Sequence, residues 1–229
     1  NENSPPLLIA ELSCNHGGSL DRAKKIILQS KKMGADFIKF QTYEADSMTI
    51  NSNQKHFLIK KGLWKNYNLW NLYNLAKTPF SWQKELFNYA KKIKIQPFSS
   101  AYDFKGVKIL EDLNCPIFKI SSFELTDYPL ISRIASNKKP IIISTGMATL
   151  KEIEKAIRII KKKHNKFLIL YCVSSYPAKK TDFHLNNLKI LKSKFNCQVG
   201  LSDHSNDLEV ASMAVAMGAK IFEKHVALQ

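Results

Sequence analysis

The chain contains 229 residues, of which 45% are hydrophobic, so it can fill a large core and is long enough for one barrel domain of ~250 residues. Its formal net charge is +16, but the lysines are spread along the chain, which argues against a nucleic-acid partner and favours a solvated basic surface that also attracts anionic ligands. No stretch approaches the ~20 apolar residues of a membrane span. We therefore expect no membrane partner. The four cysteines form no CxxC pair, so we expect a cytoplasmic protein with reduced thiols.

Eight short apolar runs, each ending in a cluster of polar side chains, divide the sequence. Stretches of helical period separate them, and an alternation of strand and helix predicts a parallel sheet that is covered on both faces. Eight such units close a (β/α)8 or TIM barrel, an α/β fold whose active site lies at the carboxyl ends of the strands. The runs begin at Leu7, Ala35, Gln96, Ile117, Pro140, Phe167, Gln198 and Ala219. We therefore predict a TIM-barrel enzyme with a single catalytic domain over residues 1–229.

One connection between these strands is unusually long. Helices are predicted over residues 19–32, 66–76, 81–92, 104–113, 129–136, 150–163, 185–195 and 207–217. The connection 43–94 carries two of them. Because so long a segment in a compact barrel is usually functional, we expect residues 46–70 to act as a lid or specificity insert. No helical pattern follows the eighth strand, so the sequence predicts a barrel that ends without its last helix.

Two histidines end the last two predicted strands. His204 ends the seventh and His225 the eighth, so the two imidazoles are expected to meet at the barrel mouth. Neutral imidazole is a common ligand of divalent transition metals, and two protein ligands leave positions open for water and substrate. Asp203 is a candidate third ligand or a supporting partner. The alternative is that the histidines are unrelated polar residues at strand ends.

Two lysines lie within apolar strands, where an unpaired ammonium is costly to bury. Lys39 in the second strand and Lys119 in the fourth, together with nearby hydroxyls, would hold a phosphate or a phosphorylated carboxylate. The donors that would complete this ring are Ser99, Ser100, Ser122, Ser144, Thr145, Ser202 and the backbone at Gly146. The alternative is that the lysines point outward past the helices.

Carboxylates and amides extend the predicted site. Glu11 in the first strand and Glu124 after the fourth can act as bases or bind sugar hydroxyls, or each can be a structural hydrogen-bonding group. Asn15, His16 and Gln41 offer the neutral polar contacts that carbohydrate recognition needs. The cysteines are embedded in apolar sequence without an evident histidine partner, so we expect buried structural thiols.

Six segments together resemble the sialic acid synthase family. They are IAELSCNHGGSLDRAKK, GADFIKFQTY, STGMATLKEIEKAI, YCVSSYP, VGLSDHS and GAKIFEKHVAL. The resemblance covers essentially the whole chain and implies a transferase that condenses phosphoenolpyruvate with an acetamido sugar to give a nonulosonic acid and phosphate. The insert LIKKGLWKNYNLWNLYNLAKTPFSW and the segment SSFELTD are most similar to the pseudaminic acid synthase branch, which uses 2,4-diacetamido-2,4,6-trideoxy-altrose.

The resemblance implies a role for most candidate residues. His204 and His225 would bind a divalent metal, Mn2+ or alternatively Mg2+ or Co2+, while Glu11 would lie near the reacting carbons and Glu124 near the attacking water. The positions that it implies for phosphoenolpyruvate are Lys39, Ser100, Lys119, Ser122, Ser144, Ser174, Tyr176 and Ser202. Asn15, Gln41 and Asp203 complete the predicted substrate site. Ser174 departs from the Asn that is typical of N-acetylneuraminate synthases.

The resemblance also implies a homodimer and a further C-terminal antifreeze-like domain that covers the partner's barrel mouth. Other functions fit the same residues. A legionaminic acid or N-acetylneuraminic acid synthase would keep the chemistry and change the sugar. A metal-dependent barrel aldolase would use no phosphoenolpyruvate and release no phosphate. A protein that only binds through its charge would show salt-sensitive binding to nucleic acid.

Overall fold

The computed structural model describes residues 4–62 and 64–228, and its strands close into a single barrel. All eight are parallel and hydrogen-bonded in sequence order, and β8 pairs with β1, so the predicted TIM barrel is confirmed. The strands are β1 (Leu7–Glu11), β2 (Phe37–Thr42), β3 (Gln96–Ala101), β4 (Phe118–Ile120), β5 (Ile141–Ser144), β6 (Phe167–Cys172), β7 (Val199–Asp203) and β8 (Ile221–His225). Their carboxyl ends meet at one mouth, where such enzymes bind substrates.

Helices cover the outside of this barrel. They are α1 (Leu20–Lys32), α2 (Ala45–Met48), α3 (Leu69–Ala76), α4 (Phe80–Lys92), α5 (Phe104–Asp112), α6 (Tyr128–Ala135), α7 (Leu150–Lys161), α8 (Asn186–Phe195) and α9 (Leu208–Ala216). Every predicted helix is present, and its ends lie within three residues of the expected ones. The additional elements are α2 and short 3₁₀ helices over Lys55–Phe57, Phe123–Thr126 and Lys180–Asp182.

Each strand turns one face to the helices and the other to the barrel interior, because successive side chains alternate. Phe40 on the outer face of β2 packs against Phe87 of α4 with ring centroids 5.5 Å apart. Full burial of such a side chain contributes roughly 1.5–3 kcal/mol. On the inner face, Phe37 and Phe98 meet edge to face at 6.0 Å. The apolar outer faces thus fix the strand register, and the inner positions nearer the mouth are left for polar side chains.

The insert of residues 46–70 is tied down by a few polar contacts. Trp70 Nε1 donates to Asp46 Oδ1 at 2.6 Å, and Asn68 Nδ2 donates to the backbone oxygen of Ser52 at 2.5 Å. Asn68 also caps α3, because its Oδ1 accepts from the backbone N–H groups of Trp70 and Asn71. The described residues of this segment, 46–62 and 64–70, bury little apolar surface, so its shape depends on these hydrogen bonds. Its action as a lid stays a prediction.

After β8 the described chain continues as residues 226–228, none of which is helical. On the neighbouring strand, Leu8 on the outer face of β1 is 43% exposed. Across residues 4–62 and 64–228, no helix combines the length and the apolarity that a membrane crossing requires.

Candidate functional site

Strands β1, β2, β4 and β8 bring opposite charges together inside the barrel. Lys39 and Lys119 are 4% and 1% exposed, and both point inward rather than past the helices. Lys39 Nζ lies 2.6 Å from Glu11 Oε2 and 3.7 Å from Glu223 Oε1. Lys119 Nζ lies 3.5 Å from the same Glu223 oxygen. Each buried ammonium therefore has an anionic partner, which offsets the cost of removing it from water.

Serine hydroxyls from three further strands surround these charges. Lys119 Nζ donates to Ser144 Oγ of β5 at 2.7 Å, and Lys39 Nζ lies 3.5 Å from Ser100 Oγ of β3. Ser202 Oγ of β7 donates to the β8 carboxylate at 3.1 Å. The period-two alternation of a strand places each of these hydroxyls on the inner face. The barrel thus brings together both predicted lysines and three of the predicted serines.

Burial and neighbouring charges set the protonation of this cluster. Burial alone would lower the pKa of Lys39, but the Glu11 and Glu223 carboxylates raise it above its usual value. Burial lowers the pKa of Lys119, and the Lys39 ammonium adds to that effect. Burial raises the pKa of Glu11, whereas at Glu223 the two ammonium groups outweigh burial and lower the pKa to about 2. Glu11 is therefore the carboxyl group that holds a proton more readily.

Two more hydroxyls converge on Gly146, just after β5. The Gly146 N–H donates to Ser122 Oγ at 3.1 Å. A Cβ at this position would lie 2.1 Å from Ser174 Oγ and 2.9 Å from Ser122 Oγ, so only glycine leaves room for both hydroxyls. Because Ser144 precedes this turn and bonds to Lys119, the hydroxyls and the ammonium lie in one region. Small donors beside a lysine are the kind of arrangement that holds a tetrahedral anion.

His204 and His225 face each other at the mouth with ring centroids 5.5 Å apart, and Tyr176 lies 4.2 Å from the His204 ring. His204 Nδ1 lies 2.8 Å from the backbone oxygen of Val173, which can only accept, so Nδ1 carries a proton and donates it to this oxygen. Burial lowers the pKa of His225 to about 4, so this imidazole is neutral near pH 7. Imidazole nitrogens of two neighbouring histidines would suit a divalent cation.

The described part of the chain contains no group of three or more His, Cys, Asp or Glu side chains arranged to hold a metal. Among the described residues, His204 and His225 are therefore the pair that we consider as donors to a cation. Two protein ligands would leave further coordination positions to water and substrate.

Glu124 follows β4 on the 3₁₀ helix, and burial raises its pKa to about 7. Its Oε2 is buried and has no hydrogen-bond partner within residues 4–62 and 64–228. Tyr73 and Tyr102 are near enough to feel its charge, and Tyr43 lies between these two rings, meeting Tyr102 at 5.3 Å and Tyr73 at 6.1 Å, both edge to face. After burial, the Glu124 charge further raises the pKa of Tyr73 and of Tyr102. A carboxyl group that is half ionised near pH 7 suits proton transfer.

Some predicted residues lie on other faces of their strands. Asp203 projects from the outer face of β7 and pairs with Lys224 Nζ at 2.6 Å, so the structure does not bring it to the histidines as a third ligand or to the substrate site. The reason is strand alternation, which places residues 202 and 204 inward and 203 outward. Ser99 likewise lies on the outer face of β3, where it bonds to a β2 hydroxyl at 2.7 Å. Gln41 does share the inner face of β2 with the lysine.

The loop after β1 holds two other predicted residues. Asn15 Nδ2 donates to the backbone oxygen of Val226 at 2.9 Å, which places this side chain at the mouth between β1 and β8. His16 is buried, its Nδ1 accepts from the Gly18 N–H at 3.1 Å, and its Nε2 lies 3.4 Å from Thr78 Oγ1. Because both ring nitrogens have protein partners, His16 fastens this loop to the turn between α3 and α4.

Two residues of the cluster were not predicted. Glu223 lies two positions before His225 on the same strand face, so the alternation that selected the histidine could have found it. Cys172 Sγ of β6 lies 3.7 Å from His204 Nδ1, so the expectation that no cysteine has a histidine partner is wrong here. Burial alone would raise the pKa of this thiol, but His204 lowers it. This contact joins two strands, and the spacing of residues within the sequence does not show it.

The fold and the site define a class of protein: a (β/α)8-barrel enzyme with a buried cluster of lysines and serines beside a pair of histidines. The geometry places both at the carboxyl mouth. The chain belongs to the NeuB family, whose sequence pattern matches residues 26–229.

Several relatives of known function are synthases. The chain is 45% identical over 229 residues to the pseudaminic acid synthase of Campylobacter jejuni subsp. jejuni serotype O:2, covering 100% of this chain and 67% of that protein. It is 42% identical over 225 residues to the pseudaminic acid synthase of Helicobacter pylori, covering 98% of this chain and 66% of that protein. The chain therefore spans about two thirds of the length of these relatives, and it is an enzyme of the same family.

Among solved structures, the N-acetylneuraminic acid synthetase of Leptospira borgpetersenii serovar Hardjo-bovis, in complex with citrate, has the same fold. The TM-score is 0.88 at 33% sequence identity, covering 99% of this chain and 75% of that chain. Both sequence and structure therefore relate the barrel to nonulosonic acid synthases.

Proposed function

We propose that the protein condenses phosphoenolpyruvate with 2,4-diacetamido-2,4,6-trideoxy-altrose to give pseudaminic acid and phosphate. The observation that carries this proposal is the pair of buried lysines, Lys39 and Lys119, among inward serines beside the histidine pair. Such a centre suits a small ligand with carboxylate and phosphate groups. Similarity to two pseudaminic acid synthases supports this particular sugar.

Binding of phosphoenolpyruvate needs cations that are not fully neutralised. Glu223 is shared by both lysines at 3.5 and 3.7 Å, so neither lysine forms a close ion pair with it. Within the described residues, Lys119 has no other carboxylate at ion-pair distance, and it therefore retains positive charge for an incoming anion. Ser144, which is 2.7 Å from Lys119 Nζ, offers its hydroxyl beside that charge. The remaining proposed contacts are Ser100, Ser122, Ser174, Tyr176 and Ser202.

His204 and His225 would hold a divalent cation, for which we propose Mn2+, with Mg2+ and Co2+ as alternatives. Ser202 Oγ lies 3.4 Å from His204 Nε2 but donates its proton to Glu223, so this hydroxyl does not donate to Nε2, the nitrogen that we propose binds the metal. When bound, such an ion acts as a Lewis acid that polarises the C1 aldehyde of the open-chain sugar.

The carboxyl groups and lysines account for the proton and anion transfers. The nucleophilic C3 of phosphoenolpyruvate forms a bond to C1 of the sugar, and Glu11 donates a proton to the aldehyde oxygen. Glu124 accepts a proton from the water whose oxygen adds to the electron-deficient C2 of phosphoenolpyruvate. The C2–O bond to phosphate then breaks, the C2 hydroxyl gives its proton to the leaving phosphate and C2 becomes a ketone. Lys39 and Lys119 stabilise the departing anion.

The direct test replaces one histidine. In His225→Ala, Mn2+-dependent phosphate release from phosphoenolpyruvate and the sugar should fall roughly 10²-fold or more, because several kcal/mol of charge stabilisation are lost. The matched control is His164→Ala. His164 lies in the loop after α7, so this variant should keep its activity. Full activity of His225→Ala would contradict the assignment of this residue to the metal.

A panel of sugars separates the alternative functions. Preferred phosphate release with the legionaminic acid precursor or with N-acetylmannosamine would replace the proposed sugar and keep the chemistry. Turnover of the sugar without phosphoenolpyruvate or phosphate release would indicate an aldolase. No turnover with any acetamido sugar would contradict the proposal as a whole.

A further inference from the structure

We infer that the ion pair of Asp203 and Lys224, on the outer face of β7 and β8, sets the relative position of His204 and His225 and thereby their affinity for a divalent cation. The inference rests on the histidine metal site proposed above. Asp203 and Lys224 are positioning residues in this account, since neither side chain reaches the interior of the barrel.

The contacts of this pair join the two strands at their carboxyl ends. Asp203 and Lys224 are register partners in the β7–β8 ladder. Lys224 Nζ donates to Asp203 Oδ2 at 2.6 Å and to the backbone oxygen of Ser205 at 2.7 Å. The second carboxylate oxygen, Oδ1, accepts from the Ser205 N–H at 2.8 Å and from its hydroxyl at 2.7 Å. One lysine thus fastens β8 to the two residues that flank His204 at the end of β7, Asp203 and Ser205.

These contacts on the outer face determine the position of the backbone that carries the two imidazoles. Residues 203 and 205 flank His204, residue 224 directly precedes His225, and successive side chains point to opposite faces. The ion pair therefore restrains the backbone from which both rings project inward, with their centroids 5.5 Å apart. A cation shared by two histidines needs both nitrogens within bonding distance at once, so a shift of either strand end weakens binding.

His225 depends on this restraint more than His204 does. The His204 ring is held by its Nδ1–H, which donates to Val173 at 2.8 Å, and its backbone oxygen accepts from the Ala178 N–H at 3.0 Å. For the His225 side chain, no hydrogen bond occurs within the described part of the structure. Its position therefore follows from its backbone and from ring packing against Tyr176 at 5.7 Å.

The burial of the pair distinguishes it from an ordinary surface ion pair. Asp203 is 2% exposed and Lys224 is 45% exposed. Exposed pairs contribute little because water competes for both charges. Here the carboxylate is buried with both oxygens bonded, so the lysine meets a fixed acceptor. Replacement of Lys224 leaves the carboxylate bonded to Ser205 alone and removes the bridge to β8.

The test is Lys224→Met, because a partly exposed lysine can be replaced without opening the core. Mn2+ affinity is measured on the purified protein by electron paramagnetic resonance titration or calorimetry. A positioning role predicts binding weaker by about tenfold, the lower end of the range for residues that support metal ligands. Direct electrostatics predicts the opposite sign, because loss of a positive charge near the site would strengthen cation binding.

Control variants distinguish an effect of ligand position on Mn2+ affinity from effects of charge and of protein stability. Lys224→Arg keeps a donor for Asp203 and should restore Mn2+ affinity, and Lys108→Met, which removes a surface ion pair with Asp112, should leave it unchanged. Asp203→Asn should weaken Mn2+ binding as well, and if that variant does not fold, Lys224→Met still decides the question. A purely structural role would lower the melting temperature of the metal-free protein without changing the Mn2+ affinity.

The outcomes distinguish this inference from the proposed metal site. Unchanged or tighter Mn2+ binding by Lys224→Met overturns the inference, while loss of binding in His225→Ala in the same assay shows that the metal site stands. If the unmodified protein binds no Mn2+, both the metal site and the inference are overturned. Weaker binding by Lys224→Met together with rescue by arginine supports the inference.

Discussion

Glu11 and Glu223 are both buried inside the barrel, yet the charges around them give them different chemistry. Glu223 lies between two ammonium groups, which favour its ionised form. Glu11 has one close ion pair, with Lys39, and is repelled by Glu223, so burial prevails and its pKa is raised. When the surroundings give two carboxyl groups different pKa values, one of them can serve as a proton donor while the other stays ionised. This division supports Glu11 as the proton donor.

The pKa of Glu124 predicts a pH-dependent stability. Burial raises this pKa from 4.5 to about 7, so the folded protein keeps the proton over a range in which the unfolded chain has lost it. The free energy of unfolding should therefore fall as pH rises from about 4.5 to 7, by at most roughly 3 kcal/mol. Glu124→Gln removes this loss and should be more stable than the unmodified protein at pH 8 but not at pH 4, as measured by urea denaturation.

The same substitution should act on turnover in the opposite direction. Phosphate release by the unmodified protein should rise with pH through about 7, as Glu124 becomes able to accept a proton. In Glu124→Gln it should fall roughly 10²–10⁴-fold, because an amide cannot act as the base. Glu154→Gln, on the exposed face of α7, is the control and should change neither property. Full activity in Glu124→Gln would rule out its role as the base.

At the scale of single residues, the sequence identifies side chains whose burial is costly. It does not show which side chains of neighbouring strands contact each other. Lys39 and Lys119 could be predicted because an ammonium within an apolar strand needs a special environment. The outward position of Asp203 follows from the same alternation that turns His204 inward, so this error was avoidable. The partner of Cys172 was not predictable, since it depends on the register between β6 and β7.

Among the elements, α3 connects the insert to the reacting groups. Its Tyr73 meets Tyr43 edge to face at 6.1 Å, and Tyr43 meets Tyr102 at 5.3 Å. The charge of Glu124 affects the pKa of both Tyr73 and Tyr102, which places these rings near the carboxyl group proposed as the base. The position of α3 should therefore influence how the sugar binds, more than how phosphoenolpyruvate binds deeper in the barrel.

Loss of the α3 cap tests this link. Asn68→Ala should cost about 1 kcal/mol of stability through the lost cap and should also free the backbone at Ser52. If the insert selects the sugar, the KM for the sugar should rise several-fold while the KM for phosphoenolpyruvate stays the same. Thr149→Ala removes the cap of α7, which follows β5, and is matched in stability cost.

The control should leave both KM values unchanged. A sugar KM that stays constant in Asn68→Ala would show that the insert does not choose the substrate. Equal changes in both variants would indicate a general loss of stability instead.

Elements with a strong period were predictable, and one-turn elements were not. The eight strands and the helices between them follow from runs of apolar residues, because buried faces impose a period of 2 or 3.6. The one-turn helix α2 depends on individual polar contacts. One of them is the hydrogen bond of Ser47 to Asp103, which joins residues from two different connections. A sequence pattern contains no signal for a contact of that kind.

The relative position of the two histidines depends on closure of the whole barrel. β8 pairs with β1 on one side and with β7 on the other, so the strands that carry His204 and His225 are also those that close the ring. The charge of +16 belongs to the same scale: it favours approach of anionic ligands, whereas the buried lysines are the groups proposed to hold phosphoenolpyruvate. The homodimer implied by the family resemblance and the cytoplasmic location expected from the cysteines stay predictions.

Metal removal should therefore change the stability of the entire domain. A ligand that binds only the folded state at 100 times its dissociation constant raises the free energy of unfolding by about 2.7 kcal/mol. Mn2+ at that excess should raise the melting temperature of the unmodified protein, and a chelator should reverse the rise. His204→Ala and His225→Ala should show no rise, while Lys108→Met should show the full one. An undiminished rise in both histidine variants would mean that the cation binds elsewhere, because a barrel that unfolds as one unit reports every site that binds only its folded state.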